Sequence, residues 1–159
     1  MSMQRGFTLV EALIVVAIMG ILLAATVPAG KYWVENSKMA SVEGNLDHAI
    51  GRAKSAALRN QHLAVGQAPV VALCLSDERT LSVLERTLTN TPDCENNVGT
   101  TLWSASIDNG VSVTSNGSDV SCVCLNNLGM VTTNSCGTCV SQPTISLAIN
   151  DLNETVFLY

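Results

Sequence analysis

The stretch RGFTLVEALIVVAIMGILLAATVPAG, residues 5–30, decides how this chain is read. From Ala12 to Val27 it carries no charge, and Phe7–Val10 extend the apolar run forward past a single acid, Glu11. A helix over this run rises ~1.5 Å per residue and reaches on the order of 30 Å, the thickness of a bilayer's hydrocarbon core. Lys31, Tyr32 and Trp33 follow as an interfacial anchor, and Arg5 with the initiator amine precedes. The arrangement predicts one membrane pass with the N-terminus on the cytoplasmic side. A secretory signal peptide accounts for it less well. Glu11 would lie inside the apolar region of such a peptide, where a carboxylate costs roughly 2.5–3.5 kcal/mol. Pro28 also breaks the small-x-small pattern expected at a cleavage site.

Pro28 is expected to kink the helix and not to end it. Beyond it, Met39, Val42, Leu46, Ala49, Ile50, Ala53 and Ala57 recur at steps of three and four, one apolar stripe on a helix running from about Thr8 to about Asn60. After the helix the chain reads as strands: 69–76, 101–107, 111–115, 120–125, 129–133, 144–149 and 155–159. Asp108-Asn109-Gly110 is a hairpin signal, residues 126–129 (NNLG) are a turn, and 77–100 reads as an irregular surface loop. The predicted architecture is α+β, a long N-terminal helix (membrane half plus amphipathic half) packed on an antiparallel β-sheet.

Gly6-Phe7-Thr8-Leu9-Val10-Glu11, followed by the apolar run, resembles the signal of type IV pilins and pseudopilins. The resemblance implies that a prepilin peptidase cuts between Gly6 and Phe7 and that Phe7 becomes N-methylated. It also implies that Glu11 pairs with the N-terminal amine of a neighbouring subunit during assembly, which relieves the cost of a carboxylate in hydrocarbon. The chain then divides into a leader (1–6), a transmembrane or fibre-core half-helix (7–30) and a periplasmic or extracellular head (31–159). A narrower resemblance, to the GspH/FimT (FimU-like) group of minor pilins, rests on Ala56, Ala57, Arg59, Asn60, Leu73 and Cys74 within 49–77, and on CLNNLGMVT further on.

Six cysteines in a chain carrying an export or membrane signal favour disulfides. Cys74 and Cys94 form a local pair. Cys122-x-Cys124 and Cys136-x-x-Cys139 read as two arms of one hairpin, with nested pairs Cys122–Cys139 and Cys124–Cys136. The same spacing lies within the range of tetrathiolate zinc sites, which a reducing compartment would favour. His48 and His62 read as solvated. Asp93, Glu95, Asp108 and Asp119 show no calcium-ligand spacing. Two glycosylation sequons begin at Asn116 and Asn153.

Net charge is −5, and all eight Lys and Arg lie at or before Arg86. The C-terminal half therefore cannot form a phosphate-binding surface. Some members of the FimT group bind DNA through a basic C-terminal motif, which NDLNETVFLY (150–159) lacks. No motif suggests an enzyme, a cofactor or a metal. The resemblance implies a minor pilin, first in the inner membrane and then in a pilus at or near its tip, which primes assembly or presents an adhesin. The implied partners are prepilin peptidase, other major and minor pilins, the inner-membrane assembly platform and a tip adhesin. Its rivals are a type II secretion pseudopilin, a major pilin and a DNA-uptake receptor.

Overall fold

The computed structural model describes residues 7–133, 139–140 and 144–158, apart from the side chains at 25 and 27–29. The chain divides into two compact units, Met1–Asn36 and Ser37–Tyr159. One helix, α1 (Leu9–Arg59), contributes to both and runs on through position 28. In the second unit its buried residues are Met39, Val42, Leu46, Ala49, Ile50, Ala53, Ala56 and Ala57. They are the stripe read from the sequence, and they share one core with the strands. The lower half of the stripe is almost all alanine, so small side chains make up the helix's share of that core there.

The helix ends at Asn60, which adopts a left-handed conformation (φ 41°) that asparagine tolerates well. Its side-chain amide donates to Ala64 O and its carbonyl accepts from Ala64 N, both at 2.8 Å. The amide thus substitutes for a turn of backbone pairing and starts the loop that leads to the first strand.

Among the described residues nine strands follow: β1 (Pro69–Leu75), β2 (Thr80–Glu85), β3 (Thr100–Ser106), β4 (Ser112–Ser115), β5 (Ser118–Asp119), β6 (Cys122–Asn126), β7 (Val131–Thr132), β8 (Thr144–Ile149) and β9 (Leu152–Phe157). They form two sheets, ordered β3-β2-β1-β6-β7 and β5-β4-β8-β9, and neighbouring strands run antiparallel. The expected α+β architecture, a long helix on antiparallel β-structure, is the one observed, with the strands divided between two sheets. In the first sheet, Leu73 stands opposite Val83 on one side and Val123 on the other. These three residues face the core shared with the helix. Ala72, Cys74, Leu84 and Cys124 point the other way and form a second, smaller cluster with Cys94 and Cys139. Both faces of β1 are therefore covered, which is why it reads as an unbroken apolar run in an antiparallel sheet.

Two expectations fail here. The segment 77–100 is not a loop throughout, because Thr80–Glu85 forms β2, with Leu81, Val83, Leu84 and Glu85 buried. Its polar Thr80, Ser82 and Glu85 masked the alternation. Asp108-Asn109-Gly110 is not a hairpin either. The strands on its two sides belong to different sheets, so it is a crossover. Arg79 Nη2 donates to Asp108 O and to Val111 O, and Lys38 on α1 pairs with Asp108 Oδ2 at 3.1 Å. These contacts come from elements distant in sequence, and they hold the turn against the helix instead of letting β3 fold back on itself.

The backbone N–H of Gly110, and after it the Lys38 ammonium, stabilise the Asp108 carboxylate and lower its pKa. A lowered carboxylate pKa stabilises the fold above the unfolded-state value of about 3.9, and that contribution is lost as the pH falls through the folded value. The wild-type protein should therefore lose more thermal stability between roughly pH 5 and pH 3 than Asp108→Asn, measured on the full chain in detergent. Parallel curves for the two proteins would remove Asp108 from the account.

Candidate functional site

The candidate site is the N-terminal segment. Thr8 precedes the first helical residue, and its Oγ1 accepts the backbone N–H of Glu11 at 3.2 Å. Thr8 O also accepts the N–H of Ala12 at 3.2 Å. Thr8 is thus the N-cap of α1 and Glu11 is the third helical residue, the spacing of a capping box. The same position puts a carboxylate in the first turn, where the helix dipole favours negative charge. Reading Glu11 by its cost in hydrocarbon alone missed this local role. The Ser/Thr-x-x-Glu spacing ahead of an apolar run was the signal that could have found it.

Behind the cap, the large apolar side chains of the first unit are exposed on every side of the helix. Phe7 (77%), Leu9, Val10, Leu13, Ile14, Val15, Val16, Ile18, Met19, Ile21, Leu22 and Leu23 are all exposed, as are Tyr32 and Trp33. A helix apolar all round is stable only when other apolar matter surrounds it. Among the described residues, no helix is long and apolar enough to cross a membrane. Gly6, the other half of the expected cleavage site, lies outside the described residues.

Residues 1–27 match the family described as the prokaryotic N-terminal methylation motif. Two pilus proteins of Moraxella bovis, "Type IV major alpha-pilin" and "Fimbrial protein Q", are each 46% identical to this chain over 46 residues. The N-terminal segment is type IV pilin-like. Each match covers 29% of this chain and 29% of the relative, so it speaks for that segment and leaves the head unmatched. No solved structure matches the chain.

The described cysteines of the head lie on the face of the first sheet opposite the helix. Cys74 is bonded to Cys94 and Cys122 to Cys139. Cys124 is also disulfide-bonded, while the expected Cys124–Cys136 pair falls on Cys136, outside the described residues. The cysteine arms do not form one hairpin. β7 pairs with Cys124 and Leu125 from one side, whereas Val140 meets Val123 in a parallel bridge.

Sγ atoms of Cys94, Cys122 and Cys139 lie within 4.8 Å of one another, the one converging set of three metal-ligating side chains among the described residues. All three are oxidised, so none offers the thiolate that zinc requires. The acids do not converge. Asp93 accepts from Glu95 N, from Asn96 N and from the Asn96 side chain, and this local shell, the Asn96 amide foremost, lowers its pKa. His48 is exposed and His62 half-buried.

Proposed function

We propose that this chain is a minor pilin of a type IV pilus, of the GspH/FimT kind. It is inserted as a prepilin with a leader at 1–6, cut between Gly6 and Phe7, and methylated on the new N-terminal amine. It is then assembled at or near the fibre tip, where it primes assembly or presents an adhesin. The observation that carries the reading is the methylation motif joined to a capped helix with apolar side chains exposed all round. Such a helix suits lipid before assembly and the packed core of a fibre after it. Residues 7–30 take that place, and 31–159 form the head. Its partners are prepilin peptidase, the other pilins, the inner-membrane platform and a tip adhesin.

The minor assignment rests on the resemblance at the end of the helix. Asn60 closes α1 by bonding Ala64, and Leu73 and Cys74 lie on opposite faces of β1. A major pilin is the second reading, supported by the relative named as one.

The test is quantitative mass spectrometry of fibres sheared from native cells. A peptide beginning at N-methyl-Phe7, well below the dominant subunit, fits the minor pilin, and near-equal abundance makes it a major pilin. Processed protein confined to the cell envelope moves it to a secretion pseudopilus.

A variant isolates the charge of Glu11. Glu11→Gln keeps the capping residue type but removes the carboxylate. Cleavage at Gly6 should continue, while incorporation into fibres should fall by roughly tenfold or more, as expected when one partner of a desolvated charge pair is lost. Normal incorporation of this variant would leave Glu11 with the cap alone.

A further inference from the structure

The disulfides of the head are packed against one another. Beside the Cys94, Cys122 and Cys139 sulfurs, which lie within 4.8 Å of each other, Cys124 Sγ is 3.3 Å from Cys139 Sγ. These sulfurs belong to different bonds: Cys74–Cys94, Cys122–Cys139 and the disulfide of Cys124. Exchange proceeds by attack of a thiolate on a disulfide sulfur, at a rate set by access and by the leaving thiol. A thiolate formed at any of these positions would already stand beside another disulfide. Cys74 and Cys94 both line an open groove of about 440 Å³, together with Ser82, Ser104, Glu78 and Glu95. Cys74 itself is 5% exposed, while Cys94 and Cys139 are both half-buried; of these two sulfurs it is Cys94 that lines the groove, and so Cys94 is the one a reagent seated there meets. The groove carries two carboxylates and no base among its lining residues, which disfavours anionic thiols.

We propose that Cys74–Cys94 is a thiol-exchange site for a neutral or basic dithiol, and that the thiolate released there rearranges Cys122–Cys139. One thiolate of the dithiol attacks Cys94 Sγ. The bond to Cys74 breaks, and the Cys74 thiolate leaves and takes a proton from water. The second thiol of the reagent then attacks its own sulfur in the mixed disulfide. The reagent closes its ring, and the Cys94 thiolate is released. Two electrons have passed from the dithiol to the protein. Cys94 next attacks Cys139 Sγ, forming Cys94–Cys139 and releasing the Cys122 thiolate, an isomerisation that consumes no electrons. The two thiols left, Cys74 and Cys122, stand directly opposite each other across β1 and β6. The fold that holds these sulfurs together thus does not by itself separate one pairing from the next. This inference is independent of the fibre reading, since it concerns the head alone.

The experiment treats the dilute full chain in detergent with one equivalent of dithiothreitol, followed by acid quench, alkylation and peptide mapping of disulfides. The expected product carries label on Cys74 and Cys122 and a new Cys94–Cys139 link. Label confined to Cys74 and Cys94, with Cys122–Cys139 intact, overturns the rearrangement. Label on Cys122 and Cys139 before Cys74 overturns the assignment of the attacked bond. Glu95→Gln leaves every disulfide in place and should speed reduction by glutathione, whose attacking thiolate carries a net charge of −2, about threefold, and by the singly charged dithiothreitol thiolate by clearly less, the size expected for one exposed charge. An equal change with both reagents would overturn the selection by charge.

Discussion

Replacing Cys74, Cys94, Cys122 and Cys139 together with alanine is expected to leave the head unfolded at physiological temperature. The two bonds close separate stretches, with sequence separations of 20 and 17 residues. Each constrains the unfolded chain by about 3 kcal/mol in the chain-entropy model. Both losses together approach the whole stability of a typical domain, about 5–15 kcal/mol. The native side adds to this. Cys74, Cys94, Cys124 and Cys139 build the small cluster around Ala72 and Leu84, so the substitutions also remove most of the side chains packed on that face among the described residues. Either pair removed alone should lower Tm by about 10 °C, read by circular dichroism on the full chain. A shift of only a degree or two for the Cys74–Cys94 pair would mean that packing, and not the bond, anchors the segment between β2 and β3.

Asn126→Ala is the second large effect, a loss of about 2–4 kcal/mol. Asn126 is fully buried at the end of β6. Its Oδ1 accepts the backbone N–H groups of Leu128 (2.9 Å) and Met130 (3.1 Å), and its Nδ2 donates to Gln67 Oε1 at 3.1 Å. Gln67 O in turn accepts from Thr132 Oγ1 at 2.8 Å, so one amide ties the β6–β7 turn to the loop before β1. Alanine leaves those donors without their acceptor in a part-buried turn and leaves Gln67 without its donor. Asn127 is the control. It is the same residue type one place on, but its Oδ1 has no partner, so Asn127→Ala should change stability by less than about 0.5 kcal/mol. Equal losses at the two positions would sink the account.

The helix was legible because its signals are local and repeated. An apolar run and then a stripe at steps of three and four leave little choice, and the observed Leu9–Arg59 agrees with the expected span to within a residue. β1, β4 and β8 were legible for the same reason. β2 was not, because Leu81 and Val83 alternate with polar residues inside a polar stretch, and only their neighbours on β1 and β3 make them a strand. The second sheet was hidden by Asp108-Asn109-Gly110. Its local chemistry says hairpin, and only Lys38 and Arg79, both far away in sequence, make it a crossover. In the N-terminal segment the motif residues were plain, but the capping bond of Thr8 went unread behind the more conspicuous acid. The proximity of the sulfurs depends on the register that sets Cys74 opposite Cys122, and no spacing along the chain encodes that register.

The two faces of β1 are covered by different means, and this governs which parts of the head can drift in sequence. Toward the helix, Ala49, Ala53, Ala56 and Ala57 are held by close contact, and a larger side chain at any of them would have nowhere to go. On the far side, the segment between β2 and β3 is fastened at Cys94, at the buried Pro92 and at the Asp93–Val98 bridge, so only its exposed residues, such as Leu88, Thr89 and Glu95, answer to little beyond solubility. Lineages descended from this chain should therefore keep the alanines and the cysteines while the exposed residues around Cys94 diverge. A head fastened in this way can change what it displays without being redesigned inside.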